Sequence, residues 1–177
     1  MKKMAVLNPP RTMFEVFESL PEGTLCQLIN NNLVMSPAPS EMHQTILLEI
    51  AGEIRNYLKK NNLGVVKISP YDVYFSRRNV YQPDIIFVAK ENVKNIRENG
   101  LHGAPDLVVE VLSPATAKYD LEDKKDVYER YGVKEYWAVD PVSKQVYFFK
   151  LLNDEYIEVE TEKGVIKSAL LNTGIKF

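Results

Sequence analysis

Residues 107–112, Leu-Val-Val-Glu-Val-Leu, place one glutamate inside an otherwise apolar run. A continuous apolar run of this length is typical of a central strand that is covered on both faces of a sheet. Glu110 must then leave water, and a buried carboxylate needs a charged or hydrogen-bonding partner. The segment therefore predicts a buried strand with a cation at Glu110, which is either a metal ion or the lysine or arginine of a structural salt bridge.

The segments on either side of this strand predict one α/β domain spanning residues 1–177, with a core at about 12–151. Predicted helices cover residues 12–20, 41–60 and 117–131, and predicted strands cover 25–29, 33–36, 65–69, 72–76, 84–88, 106–112, 135–139 and 146–151, with an edge hairpin beyond 152. If the runs on either side of Pro70 form one interrupted strand, the order from residue 41 is helix, three strands, helix, strand. That order predicts a mixed central sheet.

The charge balance argues against a strong non-specific hold on nucleic acid. The chain has 22 basic and 24 acidic residues and a formal net charge of −2. Such a chain attracts phosphate backbones only through a local basic patch. The candidates for that patch are Lys67, Arg77, Arg78 and Lys118, which could equally be solvated surface charges.

Cysteine usage and hydropathy bear on the compartment. Cys26 is the only cysteine, so that an intrachain disulfide and a cysteine-rich zinc site are both excluded, and a reducing cytoplasm fits this composition. The apolar stretch at residues 4–7 is too short for a signal peptide. No apolar run approaches the roughly 20 residues of a membrane helix, so we expect no membrane association.

Asp84 is the second carboxylate of interest. It follows Pro83 at the start of the apolar strand 85–88, where a proline can begin a strand without breaking a ladder. Asp84 and Glu110 would bring two carboxylates from neighbouring strands together, which is the oxygen-rich environment that Mg²⁺ prefers. Asp106 lies four strand residues before Glu110, roughly 13 Å away, and cannot share that ion.

Lys124 lies at the centre of the apolar stripe when the helix 117–131 is drawn at 100° per residue. A lysine there requires an anion for its ammonium, unless its stem extends to the rim and leaves the charge in water. Lys125 is about 100° further round, toward solvent. His43 aligns with the buried side of the helix 41–60. It is either a satisfied core histidine or, near a positive helix end, a contact for a phosphate or a metal-bound water.

The combined pattern resembles the Uma-two family of bacterial restriction-endonuclease-like proteins. The resemblance covers residues 12–151 and rests on segments 38–40, 43–44, 83–84, 105–114, 132–133 and 135–137 with Asp120, Lys124, Tyr128 and Asp140. It implies the PD-(D/E)XK nuclease superfamily and its αβββαβ core. It also implies that Asp84, Glu110 and the backbone carbonyl of Val111 bind Mg²⁺, for which Mn²⁺ can substitute.

The usual lysine of that superfamily stands two residues after the glutamate, where this chain has Leu112. Superfamily members with a displaced lysine carry it on the following helix, which implies that Lys124 takes its place. The resemblance thus implies a Mg²⁺-dependent endonuclease that hydrolyses phosphodiester bonds, with DNA as the expected substrate. Lys124 would stabilise charge on the phosphoryl oxygens and His43 would orient water or a phosphate oxygen.

Cleavage of both strands of a duplex requires two such sites, so a homodimer is expected. Two alternatives remain open at this point. The chain could be a catalytically inactive nuclease-fold module that binds nucleic acid or protein, and the charged residues could form a purely structural cluster. Metal binding through Asp84 and Glu110 distinguishes the enzyme from both.

Overall fold

The computed structural model of the protein describes residues 12–114 and 116–177, and the apolar stretch at residues 4–7 lies outside the described residues. The helices are α1 (Met13–Glu18), α2 (Glu41–Asn61), α3 (Ala117–Tyr119) and α4 (Lys125–Arg130), with a 3₁₀ helix at Lys90–Asn95. The strands are β1 (Cys26–Ile29), β2 (Asn32–Met35), β3 (Gly64–Ile68), β4 (Val73–Ser76), β5 (Asn79–Tyr81), β6 (Ile85–Ala89), β7 (Ile96–Arg97), β8 (Gly100–His102), β9 (Leu107–Val111), β10 (Glu135–Val139), β11 (Val146–Leu152), β12 (Glu155–Val159), β13 (Val165–Ser168) and β14 (Thr173–Lys176).

The main sheet has six strands in the order β12-β11-β10-β9-β6-β3. It is a mixed sheet, because β9 and β10 are parallel whereas the other neighbours are antiparallel. All five residues of β9 are buried. Successive side chains of a strand point to opposite faces, so β9 contributes to two separate cores. Leu107 and Val109 pack with α2, whereas Val108 and Leu112 pack with the α4 side.

A second sheet also has six strands, in the order β2-β1-β5-β4-β8-β7. Two of them, β1 and β2, precede the strands of the main sheet in the chain, and the other four lie between β3 and β9. The interpretation of the two runs around Pro70 as one interrupted strand is therefore wrong. The run before Pro70 is β3 of the main sheet, and the run after it is β4 of the second sheet. The αβββαβ core is nevertheless present, because β3, β6 and β9 are three neighbouring strands of the main sheet. The strands β4, β5, β7 and β8 lie between them in the chain but belong to the second sheet.

The helical segment after β9 is not one regular α-helix. A π-helical turn at Asp120–Lys124 separates α3 from α4, so the predicted uniform helix over 117–131 is corrected. The hydroxyl of Tyr136 on β10 donates to the backbone carbonyl of Asp120 at 2.9 Å and fastens this turn to the sheet. Single π turns are frequent at functional sites, because the extra residue redirects the side chains of that turn.

The chain beyond β11 differs from the predicted edge hairpin. β12 is the edge strand of the main sheet, but β13 and β14 form a separate two-stranded sheet that contributes Ile166 and Ile175 to the core under α2. Buried Glu135 holds this hairpin, since its carboxylate accepts bonds from Ser168 Oγ and Leu170 N–H, both at 2.7 Å. Within residues 12–114 and 116–177, none of the helices combines the length and the apolar character that a membrane span requires.

Candidate active site

Asp84 and Glu110 meet because β6 and β9 are antiparallel neighbours. The register pairs Ile85 with Val109, so the residue before β6 stands beside Glu110. Oδ2 of Asp84 accepts a hydrogen bond from the backbone N–H of Val111 at 2.7 Å. The predicted juxtaposition of the two carboxylates on neighbouring strands is therefore present in the structure.

Glu110 contacts an ammonium and a hydroxyl from the helical segment. Lys124 Nζ lies 2.9 Å from Glu110 Oε1, and the hydroxyl of Tyr128 donates to the same oxygen at 2.6 Å. Lys124 Nζ also lies 2.8 Å from Oδ1 of Asp120, four residues earlier. The side chains of Glu110, Lys124 and Asp120 are 4%, 6% and 2% exposed. Lys124 thus points inward, as the helical wheel predicted, and its ammonium meets two carboxylates instead of solvent at the rim.

His43 of α2 belongs to the same group of residues. Its Nε2 is 3.1 Å from Oδ2 of Asp84, and the His43 side chain is 10% exposed. Its Nδ1 is buried and has no hydrogen-bond partner among the described residues. Ser40 caps α2 by accepting the backbone N–H of His43 at 3.3 Å, which fixes the first turn of the helix. His43 is therefore a buried histidine whose side chain contacts the carboxylate of Asp84.

These side chains line a cleft with a volume of 660 Å³. Its walls include the loop at residues 36–40, the first turn of α2, the end of β9 and the turn after β10. Asp84, Glu110, Val111, His43, Asp120 and Lys124 all contribute to its lining. The two sides of the main sheet both reach it, because α2 brings His43 from one side and the π turn brings Lys124 from the other. The cleft therefore collects every predicted site residue.

The cluster carries more negative than positive charge. Burial raises the pKa of Glu110 against the opposing charge of Lys124, and the charges of Asp120 and Asp84 raise it further. Burial alone would lower the pKa of Lys124, but the charges of Glu110 and Asp120 outweigh it and raise that pKa. Burial also lowers the pKa of His43, and the hydrogen bond and charge of Asp84 outweigh it in the upward direction. All three shifts favour bound protons, as expected when carboxylates outnumber the ammonium in a buried cluster.

The donor chemistry of the cleft fits a hard divalent cation. Among residues 12–114 and 116–177, no three or more His, Cys, Asp or Glu side chains are arranged to hold a metal ion. Mg²⁺, however, commonly takes one or two protein carboxylates and completes its shell with waters and substrate phosphates. Asp84, Glu110 and the carbonyl of Val111 supply such a set, and the surplus negative charge favours a cation there.

Comparison with known proteins identifies the family of the chain. The model of the Uma2 (Uma-two) family, described as "Putative restriction endonuclease", matches residues 14–176. The chain belongs to the Uma2 family. Its fold is similar to that in a crystal structure described as a "putative nuclease belonging to DUF820 from Anabaena variabilis ATCC 29413", with 17% identity, 92% of each chain covered and a TM-score of 0.75. No curated protein matches the sequence.

The restriction-endonuclease-like α/β fold with a mixed sheet is therefore confirmed. In this Uma2 protein the usual lysine position is occupied by Leu112, which is 8% exposed and packs in the apolar core on the α4 side. Asp106 is separate from the cleft, as expected. It forms its own ion pair with Lys134 at 2.7 Å and accepts the backbone N–H of Ala89.

Other expectations about charges require correction. Lys125 does not simply point to solvent, since its ammonium lies 5.3 Å from the centre of the Phe149 ring. The candidate basic patch is divided between elements. Lys67 is on β3 of the main sheet, Arg77 and Arg78 form the β4–β5 turn of the second sheet, and Lys118 is on α3. Among the described lining residues of the cleft, none of these four side chains is present.

Asp120 and Tyr128 are the site residues that sequence reasoning did not assign. Both were noted as part of the family pattern, without a role. A signal for Asp120 existed, because residues four apart on a helix are neighbours and Asp120 precedes Lys124 by four. No comparable local signal existed for Tyr128, whose contact with Glu110 depends on how the helix packs on β9.

Proposed function

We propose that this protein is a divalent-metal-dependent endonuclease that hydrolyses phosphodiester bonds in DNA. The observation that carries the proposal is one cleft in which Asp84 and Glu110 stand on adjacent strands and the buried ammonium of Lys124 lies 2.9 Å from Glu110. Two carboxylates and an ammonium are the groups that phosphodiester hydrolysis with a hard cation requires. Membership in the Uma2 family supports the same reaction class.

In this proposal Asp84, Glu110 and the carbonyl of Val111 hold Mg²⁺ or Mn²⁺. When bound there, such an ion would supply Lewis acidity for the scissile phosphate and for the attacking water. Asp84 is oriented for this by the Val111 N–H and by His43. Lys124 provides a preorganised positive charge for the phosphoryl oxygens, and His43 orients a water or a phosphate oxygen.

Substrate and assembly follow from the same reasoning. We infer that the substrate is double-stranded DNA and that a homodimer cuts it, because one such site cuts one strand. The proposed location is the cytoplasm. With a net charge of −2, binding must depend on local contacts near the cleft. Lys67 and Lys118 are exposed, and each lies two residues before a cleft residue, Ser69 and Asp120 respectively.

One observation favours a second candidate function. Leu112 occupies the usual lysine position, and Lys124 is fully engaged with Glu110 and Asp120. A cluster whose lysine is already paired with two carboxylates is consistent with a catalytically inactive module that binds nucleic acid or protein. Such a module would bind DNA without cutting it and would not depend on a divalent ion.

The deciding experiment incubates supercoiled plasmid DNA and a matched RNA with the protein in Mg²⁺, in Mn²⁺ and in EDTA. We expect nicked and linear DNA with either ion and none in EDTA. Asp84→Asn should abolish cleavage, whereas Asp126→Asn, which removes an exposed charge on α4, should not. Intact DNA under both ions, together with a gel shift that EDTA leaves unchanged, would support the inactive module instead.

A further inference from the structure

The ammonium of Lys124 is the cation that contacts the carboxylate of Glu110 in this structure. This ammonium lies between two buried carboxylates, 2.9 Å from Glu110 and 2.8 Å from Asp120. The three side chains are each at least nine-tenths buried, so solvent screens their charges only weakly. A divalent cation at Glu110 would have to share its carboxylate with this ammonium, and the two like charges would repel each other strongly in a buried site.

Asp120 is the residue that can resolve this conflict. A buried ammonium that loses its only counter-ion is strongly unfavourable, whereas one that retains a carboxylate is not. Asp120 keeps such a carboxylate at Lys124 when Glu110 turns to another cation. We propose that Asp120 is a positioning residue, which holds Lys124 in the cleft and lets Glu110 exchange the lysine for a divalent ion.

Asp120 is itself fixed in place by two hydrogen bonds. Thr116 Oγ1 donates to its Oδ2 at 2.9 Å, and Tyr136 donates to its backbone carbonyl at 2.9 Å. Asp120 and Lys124 are also the first and last residues of the π turn. Asp120 therefore stays in position during the exchange, and the flexible stem of Lys124 accommodates the change.

This inference rests on the metal site of the proposed function and makes a separate claim about competition. Lys124 competes with the ion for Glu110, and Asp120 weakens that competition by sharing the lysine. Asp120 thus affects ion affinity chiefly through Lys124, and its own negative charge adds a smaller direct attraction. A direct ligand would affect ion affinity whether Lys124 is present or not.

The test is a double-mutant cycle on Mn²⁺ affinity, measured by calorimetric titration of the full chain without DNA. The variants are Asp120→Asn, Lys124→Met and the double variant. We expect Lys124→Met to bind Mn²⁺ at least about tenfold more tightly than wild type, because the competing cation is gone. Asp120→Asn should bind at least about tenfold more weakly, since Lys124 then pairs with Glu110 alone.

The double variant gives the decisive comparison. Relative to Lys124→Met it should lose much less Mn²⁺ affinity than Asp120→Asn loses relative to wild type, since Asp120 has no lysine left to hold. It also replaces one buried charge of each sign, which keeps the cluster balanced if either single variant folds poorly. Melting temperatures in EDTA show that each protein is folded.

Two results overturn the exchange alone. One is an equal loss of Mn²⁺ affinity from Asp120→Asn with and without Lys124, which would show that Asp120 acts on the ion directly. The other is tight Mn²⁺ binding by wild type that Lys124→Met does not improve. Absence of Mn²⁺ binding by both wild type and Lys124→Met would overturn the metal-dependent function together with the exchange, so the two failures are distinguishable.

Discussion

Asp84 accepts the backbone N–H of Val111 at 2.7 Å, so the carboxylate at the start of β6 is bonded to the residue that follows Glu110 on β9. The same oxygen lies 3.1 Å from His43 Nε2. Asp84 therefore has a structural task in addition to its proposed role as a ligand. The two tasks can be separated by the choice of substitution.

Asp84→Asn keeps a side-chain oxygen for the Val111 N–H, whereas Asp84→Ala leaves that buried N–H without a partner. We expect little change in stability for Asp84→Asn without metal and a loss of about 1–3 kcal/mol for Asp84→Ala. Urea denaturation in EDTA measures both values. Both variants should lose stabilisation by Mn²⁺, and its survival in either one would show that Asp84 is not a ligand.

Divalent ions should stabilise the native protein, because the folded cleft binds them and the unfolded chain does not. At an ion concentration of about 100 times Kd the gain is about 2.7 kcal/mol. For a chain of this size that corresponds to a rise in Tm of about 5–10 °C. Calorimetry in Mg²⁺, Mn²⁺ and EDTA at equal ionic strength provides the measurement, and identical Tm values would contradict the metal site.

Adjacent lysines should differ sharply in their effect on cleavage. Lys124 is buried against Glu110, whereas Lys125 is partly exposed beside the Phe149 ring. Lys124→Met should reduce metal-dependent DNA cleavage by a factor of about 10² or more, as loss of a preorganised charge does. Lys125→Met removes the same charge and should cause only a modest, salt-sensitive loss of DNA affinity.

Cleavage is compared under single-turnover conditions, and Mn²⁺ binding by both lysine variants shows that their clefts are intact. Equal losses of cleavage, or a larger loss for Lys125→Met, would show that Lys124 does not replace the missing lysine of the family pattern.

Asp106 should make the free energy of unfolding depend on pH in the acidic range. Burial raises the pKa of Asp106, but hydrogen bonds from Asn92, Lys134 and the Ala89 N–H outweigh it and hold the pKa below its ordinary value. A group whose pKa is lower in the folded state stabilises the protein above its unfolded pKa, and this contribution disappears as pH falls through the folded pKa.

Asp106→Asn should therefore be less stable than wild type at pH 7, by about 1–3 kcal/mol, and the difference should shrink below about pH 4. Urea denaturation from pH 7 to pH 3 measures the difference. Asp154→Asn is the matched control, since Asp154 is exposed in the β11–β12 turn at a φ of 64°, a conformation that Asn tolerates. A constant difference across this pH range would contradict the assignment.

Much of the fold could be predicted because its elements carry local patterns. The capping box at Thr12, the apolar spacing of α2 and the apolar run of β9 each produced an element close to its observed bounds. The assignment of β3 and β4 to one strand failed, since strand partners depend on contacts distant in the sequence. That all 177 residues form one domain stays a prediction.

The candidate site shows the same division. Glu110 in an apolar strand and Lys124 in an apolar helical stripe were each anomalous in the sequence, and each anomaly indicated a missing partner of opposite charge. The structure shows that they are partners of one another. Their roles toward an ion and a phosphate remain predictions.

The sequence by itself determined which residues must leave water and which face of each element they occupy, because strand and helix periods fix side-chain direction. Only the tertiary structure decided which buried charges meet. The antiparallel register of β6 and β9 brings Asp84 to Val111, and the π turn brings Asp120 and Lys124 together at Glu110. These contacts depend on how separate elements pack, because Glu110 and Lys124 are 14 positions apart in the sequence and no local pattern links them.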